Sequence, residues 1–323
     1  MLGFIIQRLL QASLVMAVMS VIVFVGVYAI GNPIEIVIPP DATQEIRAET
    51  IKRFGLDLPL WQQYFIFLSN LVQGDFGRSF IYNTPVLELI AGRLPATLEL
   101  VLISILTATL LGVSLGVYAG YRPHSWLART IMALSVLGFS VPSFWVGLIL
   151  ILTFAVNLGW LPAGGRGEVI AFLGVDWSFL TPDGLAHILL PALNLAFFKL
   201  AMMIRLARAG TREIMLTDTI KFARAAGISE GRILRRHVLK LIAIPIITVF
   251  GLELGSTLAF AVVTETIFSW PGVGKLIIDS ITVLDRPVMV AYLILTALLF
   301  VLINLTVDLV YALIDPRMRA RGA

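Results

Sequence analysis

Six long apolar stretches constrain this chain more than any other feature of its sequence. A helix needs about 20 mostly apolar residues to cross the hydrocarbon core of a bilayer, because every backbone polar group must be paired within the segment. Of all residues 59% are hydrophobic and 14% charged, a balance outside that of water-soluble domains. The stretches that qualify are 9–30, 96–119, 130–156, 187–207, 241–263 and 288–313. The sequence therefore predicts an all-α polytopic membrane protein with six transmembrane helices.

The distribution of charge predicts the orientation of these helices. Lys and Arg residues retained in cytoplasmic loops set the topology of a membrane protein. Most of them fall at the amino terminus, between the second and third stretches, between the fourth and fifth, and after the sixth, whereas most acids fall in the other connections. We therefore expect both termini on the cytoplasmic side. The chain has no cysteine, which excludes disulfides and thiolate metal sites.

The connections between the apolar stretches predict that the chain has three parts. We expect an N-terminal transmembrane helix at 1–31, an exterior cap of short helices at 32–95, and a core of five transmembrane helices at 96–323. The glycine-rich connection after the third stretch should be irregular, with short turns and no regular core. The basic cytoplasmic connection at 209–240 is predicted to be a helical elbow, broken at Gly227.

The elbow could in principle bind nucleic acid or anionic lipid, because both attract basic surfaces. Its interspersed acids and its apolar positions at helical spacing favour a surface that docks a protein instead. We therefore expect no nucleic acid among the partners of the chain, whereas membrane lipid is expected around its apolar spans.

Catalysis by this chain is disfavoured. A phosphate-binding P-loop ends in Gly-Lys-Ser/Thr, whereas the nearest string here, at 274–276, is Gly-Lys-Leu in a predicted exterior loop. His124, His187 and His237 fall at separate predicted helix ends, without the close spacing of a metal or nucleophile site. The sequence predicts no cofactor or metal bound by the chain.

Glycines recur every four residues in two of the spans. The second span contains Gly112, Gly116 and Gly120, and the fifth contains Gly251 and Gly255. Small residues at this spacing allow helices to approach closely, so packing is the favoured interpretation. Seams at which helices slide during transport remain the alternative.

A series of short strings carries a family resemblance. The elbow contains ARAAGIS at 223–229 and LRRHVLK at 234–240. The others are GLDLPLWQQY at 55–64, QGDFGRS at 73–79, RLPATLEL at 93–100, VPSFWVGLIL at 141–150, LGWLPAGG at 158–165, ETIFSWPGVG at 265–274 and DLVYALIDPRMR at 308–319. With these strings in this order along its sequence, the chain resembles the dipeptide and oligopeptide branch of the ABC importer permeases. The resemblance implies the type I importer permease fold.

The resemblance implies candidate site residues. In the family the elbow forms a coupling helix that sits in a groove of the ATPase, and a glycine ends that helix where Gly227 stands. The family pattern opens with Glu-Ala-Ala, whereas this chain has Lys-Phe-Ala at 221–223, so only the last position fits. The implied ATPase-coupling residues are Lys221, Phe222, Ala223, Arg224, Ala225, Gly227 and His237. The turn at Trp270, Pro271 and Gly272 is implied to be an exterior gate or a docking point for the receptor.

Charged residues within the spans are the remaining candidates, since an ionised side chain in a membrane usually faces a partner or a water-filled path. Glu99 and Asp308 lie near helix ends, within reach of interfacial water, and are interpreted as structural anchors. Lys199 and Glu253 lie near the midplane. They are predicted either to pair across the fourth and fifth spans or to line the translocation pathway, where they could meet a zwitterionic peptide.

The resemblance also implies an assembly and a substrate class. The expected partners are a second, homologous permease in a heterodimer, two cytoplasmic ATPases that hold ATP and Mg, and a soluble exterior binding protein. The expected location is the bacterial inner membrane, and the expected substrates are di- or oligopeptides. Glutathione, nickel chelates and oligosaccharides are alternative substrates, and a self-sufficient secondary transporter or channel and a scaffold without transport are rival functions.

Overall fold

The computed structural model describes residues 2–29, 43–53 and 57–314 and is almost entirely helical. Residues 32–42 of the predicted cap and 315–319 of the last family string lie outside the described residues. The helices are α1 (Leu2–Ala29), α2 (Gln44–Arg53), α3 (Leu60–Val72), α4 (Val86–Tyr121), α5 (Trp126–Ser140), α6 (Ser143–Leu150), α7 (Pro182–Met215), α8 (Asp218–Ala225), α9 (Glu230–Ile233), α10 (Leu239–Ile267), α11 (Val273–Thr282) and α12 (Arg286–Ile314). Two π-helical turns, Ile151–Asn157 and Leu234–Val238, continue α6 and α9, and one antiparallel hairpin joins β1 (Ile170–Phe172) to β2 (Val175–Trp177).

Five helical segments of the described residues are long and apolar enough to cross a membrane, and a bent pair makes up to six. These five include α1, α4, α7, α12 and the continuous segment Glu230–Ile267. The third predicted span differs, because α5 and α6 meet at an angle of 113°. Val141 between them is extended, with φ −96° and ψ 129°, since the ring of Pro142 disfavours a helical conformation in the residue before it. The six-helix all-α prediction is thus confirmed, with its third span broken.

The chain divides into two compact units, and the first comprises Met1–Leu94 and Lys275–Leu302. In this unit α3 packs against α1 through the rings of Tyr64 and Phe67, whose centroids lie 5.3 and 5.7 Å from that of Phe24. The carboxylate of Asp285 accepts hydrogen bonds from the hydroxyl of Ser79 and the amide of Phe80. The predicted division at 1–31, 32–95 and 96–323 stays a prediction.

The second unit comprises Pro95–Gly274 and Ile303–Ala323, and its α4 and α7 touch along the predicted glycine seam. A Cβ atom on Gly116 would lie 2.5 Å from the backbone oxygen of Ile204, and one on Gly120 would lie 2.7 Å from Cβ of Thr211. Real Cβ atoms do not approach other atoms so closely, so the two backbones are in direct contact. Close packing is therefore what these glycines provide.

The connection between α6 and α7 is more ordered than the sequence predicted. It contains the β1–β2 hairpin and is held by Glu99 of α4, whose carboxylate is buried. That carboxylate accepts hydrogen bonds from Arg166 at 2.8 Å, from the amide and hydroxyl of Ser178 at 2.8 and 2.7 Å, and from the amide of Phe179 at 2.7 Å. Glu99 thus anchors the loop, as predicted, but its carboxylate is bound by protein groups rather than by interfacial water.

Candidate functional site

The elbow folds as a short helix closed by a left-handed glycine. After α7 ends at Met215, α8 runs over Asp218–Ala225, and Gly227 follows with φ +75°. The amide of Ile228 donates to the carbonyl of Ala223 at 3.1 Å, and the amide of Gly227 donates to that of Arg224 at 3.0 Å. This pair of bonds is the Schellman motif, in which glycine tolerates the positive φ that other residues resist. The break predicted at Gly227 is therefore present.

One face of α8 is fixed to the protein core. Ile220 and Ala223 are buried and pack in one apolar cluster with Ala207 of α7, Ile233 of α9 and Ile242 of α10. The side chain of Ala223, predicted as an ATPase-coupling residue, points into this cluster and packs α8 on the helices beneath it. Its part in ATPase coupling stays a prediction.

The opposite face of α8 is exposed. Phe222 is 77% exposed, and Lys221, Arg224, Ala225 and Gly227 are exposed beside it. Leu216, in the turn before α8, is 69% exposed and adds a second apolar side chain that the sequence interpretation missed. The sequence signal that could have identified Leu216 is its position directly after the basic last turn of α7. Phe222 and Leu216 are thus two large apolar side chains that the described residues leave exposed at the elbow.

One ion pair bridges the glycine turn of this elbow, and a second lies before it. The guanidinium of Arg224 donates to the carboxylate of Glu230 at 2.7 and 3.3 Å, and these hydrogen bonds raise the pKa of Arg224 above its ordinary value. Lys221 contacts Asp218 at 2.8 Å, one turn earlier. His237 lies half-buried in the π-helical turn Leu234–Val238. From Glu230 to Ile267 the chain is continuously helical, so the elbow leads without interruption into a candidate membrane span.

The structure brings Lys199 of α7 and Glu253 of α10 together as an ion pair. The ammonium of Lys199 also donates to the hydroxyl of Ser256 at 2.9 Å, and that hydroxyl lies 2.9 Å from the Glu253 carboxylate. The rings of Phe198 and Phe260 lie 5.8 and 5.7 Å from the ammonium, within the range of a cation–π contact. Lys199 is buried and the side chain of Glu253 is 16% exposed. Pairing satisfies both charges within the chain.

The Trp-Pro-Gly turn is packed inside the second unit. Trp270 is fully buried, and its indole donates to the carbonyl of Ala96 at 2.8 Å. Gly272 lies against the carboxylate of Glu265, which would clash with any Cβ atom there. Pro271 is half-buried. The side chain of Trp270 is therefore buried within the chain, and the gate or receptor-docking role of this turn stays a prediction.

The hydroxyl of Thr97 joins the string at 93–100 to the string at 265–274, which contains this turn. Thr97 donates to the Glu265 carboxylate at 2.6 Å and accepts from the amide of Val273 at 2.9 Å. Sequence interpretation missed Glu265 and Thr97, because residues so far apart in the chain give no local signal of contact. Within the part of the chain that the structure describes, no cluster of three or more His, Asp or Glu residues could hold a metal ion.

These features define a class of protein. Several long apolar helices, joined by a helical elbow and linked by an ion pair between two candidate spans, are those of a polytopic α-helical membrane protein. The chain belongs to the family of binding-protein-dependent transport system inner membrane components, whose model matches residues 112–320. The model for the N-terminal part of such components matches residues 1–101. The family predicted from the sequence strings is confirmed, and the chain is an inner-membrane permease component of an ABC importer.

Named relatives match over nearly the whole chain. The oligopeptide transport system permease protein AppB of Bacillus subtilis is 39% identical over 98% of this chain and 99% of its own. The di/tripeptide transport system permease protein DppB of Pseudomonas aeruginosa is 40% identical over 90% of each chain. The glutathione transport system permease protein GsiC of Escherichia coli is 37% identical over 99% of each. A solved structure of the inward-facing MetNI methionine ABC transporter shares the fold, with TM-score 0.53 and 17% identity over 71% of this chain and 97% of its own.

Proposed function

We propose that this chain forms half of the translocation pathway for di- or oligopeptides in an ATP-driven importer. Relatives named for oligopeptide and di/tripeptide transport, at 39% and 40% identity, support the peptide class. The relative named for glutathione transport, at 37% identity, supports that tripeptide as the second candidate. The other half of the pathway is a second, homologous permease in a heterodimer, and a soluble exterior binding protein delivers the substrate.

The energy comes from two separate ATPase subunits on the cytoplasmic side, which hold ATP and Mg. The chain is not itself an enzyme, and the absence of a P-loop string from its sequence supports this division of labour. Both termini lie on the same side as the elbow, in agreement with the distribution of Lys and Arg along the chain.

The elbow transmits the motion of the ATPase, and the two-faced structure of α8 is the observation that carries this proposal. Its outer face offers Phe222 to a groove of the partner, while its inner face is fixed through Ile220 and Ala223 to α7 and α10. A displacement of the outer face is therefore passed to two candidate spans rather than absorbed by a loose loop. Closure of the ATPase pair on ATP would rock the permease halves from inward-open to outward-open.

The other predicted sites take more limited roles. Lys199 and Glu253 border the pathway as a closed pair, and the aromatic rings beside them keep the ammonium out of contact with bulk solvent. The Trp270–Gly272 turn forms a fixed part of the exterior gate and does not itself bind the receptor, in keeping with the burial of Trp270. Of its three residues only Pro271 is accessible enough to touch a receptor without rearrangement.

Substitution of Phe222 tests the coupling role. Phe222→Ser removes an exposed side chain, so the fold should be unaffected, whereas retention of the ATPases by the purified permease should fall by about tenfold or more. The matched control is Trp126→Ser, since Trp126 is 73% exposed and begins another helix after a connection predicted to be cytoplasmic. Co-purification, ATP hydrolysis and peptide uptake in proteoliposomes are measured for both variants.

The proposal fails if Phe222→Ser retains its ATPases and takes up peptide normally. It also fails if Trp126→Ser loses as much, because the effect would then belong to exposed aromatic residues in general. Uptake of glutathione in preference to longer peptides would replace the substrate class while leaving the coupling role intact.

A further inference from the structure

A charge-free segment precedes the second candidate span and contains α3. No ionisable Asp, Glu, Lys or Arg residue occurs between Asp57 and Asp75, and α3 occupies Leu60–Val72 within this interval. Its 13 residues extend about 20 Å, well short of the roughly 30 Å of a hydrocarbon core. The helix cannot span a membrane, although its composition resembles that of a helix that does. The sequence interpretation assigned it to an exterior cap.

The inner face of α3 contacts α1 at membrane depth. The hydroxyl of Tyr64 lies 2.9 Å from that of Ser20, and the Tyr64 ring packs edge-on against Phe24. The candidate span of α1 is Ile6–Gly26, so Ser20 lies about 9 Å inside its end. Leu71, at the other end of α3, packs in the cluster formed around Val23 of α1. Both ends of α3 are therefore held beside the candidate span of α1.

The outer face of α3 is mostly apolar and is left exposed by the described residues, although the polar side chains Ser69 and Asn70 are exposed as well. Its exposed large side chains are between 48% and 79% accessible, and they are Leu60, Trp61, Phe65, Ile66 and Val72. The exposed hydroxyl of Ser69 is bonded to the side-chain amide of Gln73 at 3.0 Å, which lowers the cost of placing it in an apolar medium. Trp61 stands at the start of the helix, near Asp57, where an indole suits the boundary between headgroups and acyl chains.

We propose that α3 is a membrane-inserted helix that does not span, with its outer face immersed in phospholipid acyl chains. Contact with Ser20, about 9 Å inside the end of the candidate span of α1, fixes its depth, and the absence of charge removes the usual cost of that depth. The exposed apolar side chains Val18, Val21 and Val25 of α1 continue the same kind of surface on the neighbouring helix. Five large apolar side chains on one short helix form a patch that protein surfaces in water rarely expose, which favours lipid over water as the occupant.

The absence of cysteine from the chain allows a direct depth measurement. Single-cysteine variants Phe65→Cys and, as the control, Glu45→Cys are labelled with bimane in the assembled complex, reconstituted in phosphatidylcholine nanodiscs. Glu45 lies exposed on the polar helix α2. Quenching is measured with acyl-chain-brominated phosphatidylcholine and with aqueous iodide. At Phe65 the brominated lipid should quench at least about threefold more than iodide does, and at Glu45 the order should reverse.

Two outcomes would overturn the proposal. Equal iodide quenching at Phe65 and Glu45 would place α3 in water, as an exterior cap. Protection at Phe65 from both quenchers would mean that a protein subunit covers the face. Ile66→Cys, on the same face, repeats the measurement if Phe65→Cys does not assemble, and Val18→Cys on α1 reports the signal of a residue at membrane depth.

Discussion

Replacing Glu253 alone should destabilise the protein more than replacing Glu253 and Lys199 together. Glu253→Gln leaves the Lys199 ammonium buried, with the Ser256 hydroxyl as its remaining hydrogen-bond partner among the contacts described above. An uncompensated buried charge of this kind costs about 3–5 kcal/mol. Lys199→Met leaves the Glu253 carboxylate without its cation, at a similar cost in free energy of unfolding. The double variant carries neither charge, so its free energy of unfolding should fall within about 1 kcal/mol of the unaltered protein.

The double-mutant cycle measures the interaction energy between Lys199 and Glu253. The expected coupling energy between the two positions is about 3 kcal/mol or more, obtained from reversible unfolding in mixed micelles followed by circular dichroism. The exposed pair Lys221 and Asp218 is the matched control, since its side chains are 68% and 95% exposed. A surface pair contributes about 0–1 kcal/mol, so its cycle should show little coupling.

Additive losses at Lys199 and Glu253 would refute direct pairing. Peptide uptake then separates the two roles that the sequence left open for these residues. If the pair only joins α7 to α10, the double variant should be both stable and active. If the charges also contact substrate in the pathway, the double variant should be stable yet slow in uptake.

Three further substitutions test other parts of the structure. Gly116→Ala should cost about 1–3 kcal/mol of stability because its Cβ would meet the α7 backbone, whereas Gly92→Ala, with open space around it, should be neutral or slightly stabilising. Glu99→Gln should cost about 2–4 kcal/mol and expose the β-hairpin connection to limited proteolysis, because an amide cannot accept all the hydrogen bonds of the carboxylate. Gly227→Asp should separate ATP hydrolysis from uptake while the protein still inserts, and Gly231→Asp, at an ordinary helical φ, should not.

Each of these has an outcome that contradicts it. Equal stability of the Gly116 and Gly92 variants would show that the contact between α4 and α7 has room for an added methyl group. An unchanged rate of proteolysis in the Glu99 variant would mean that other contacts hold the hairpin. Normal uptake by the Gly227 variant would remove the turn from the coupling mechanism.

The sequence predicted the features that depend on local chemistry. Apolar length predicted the spans, and the isolated Gly227 predicted the turn of the elbow, since both signals lie within one short window. The break at Val141 was missed because the apolar run continues through it, although Pro142 carried the information.

Contacts between distant segments were beyond the sequence. Lys199 and Glu253 were both placed near the midplane, but only the packing of α7 on α10 shows that their charged atoms meet. Nothing local relates Thr97 to Glu265, or Glu99 to Arg166. The inward direction of Ala223 could be inferred only once the apolar cluster beneath α8 was known.

The direct backbone contact between α4 and α7 limits how an importer of this kind can move. At Gly112, Gly116 and Gly120 the α4 backbone lies directly against backbone and Cβ atoms of α7, which leaves little room for one helix to rotate on the other. We therefore expect α4 and α7 to move together during transport, with the larger rearrangements at contacts between longer side chains.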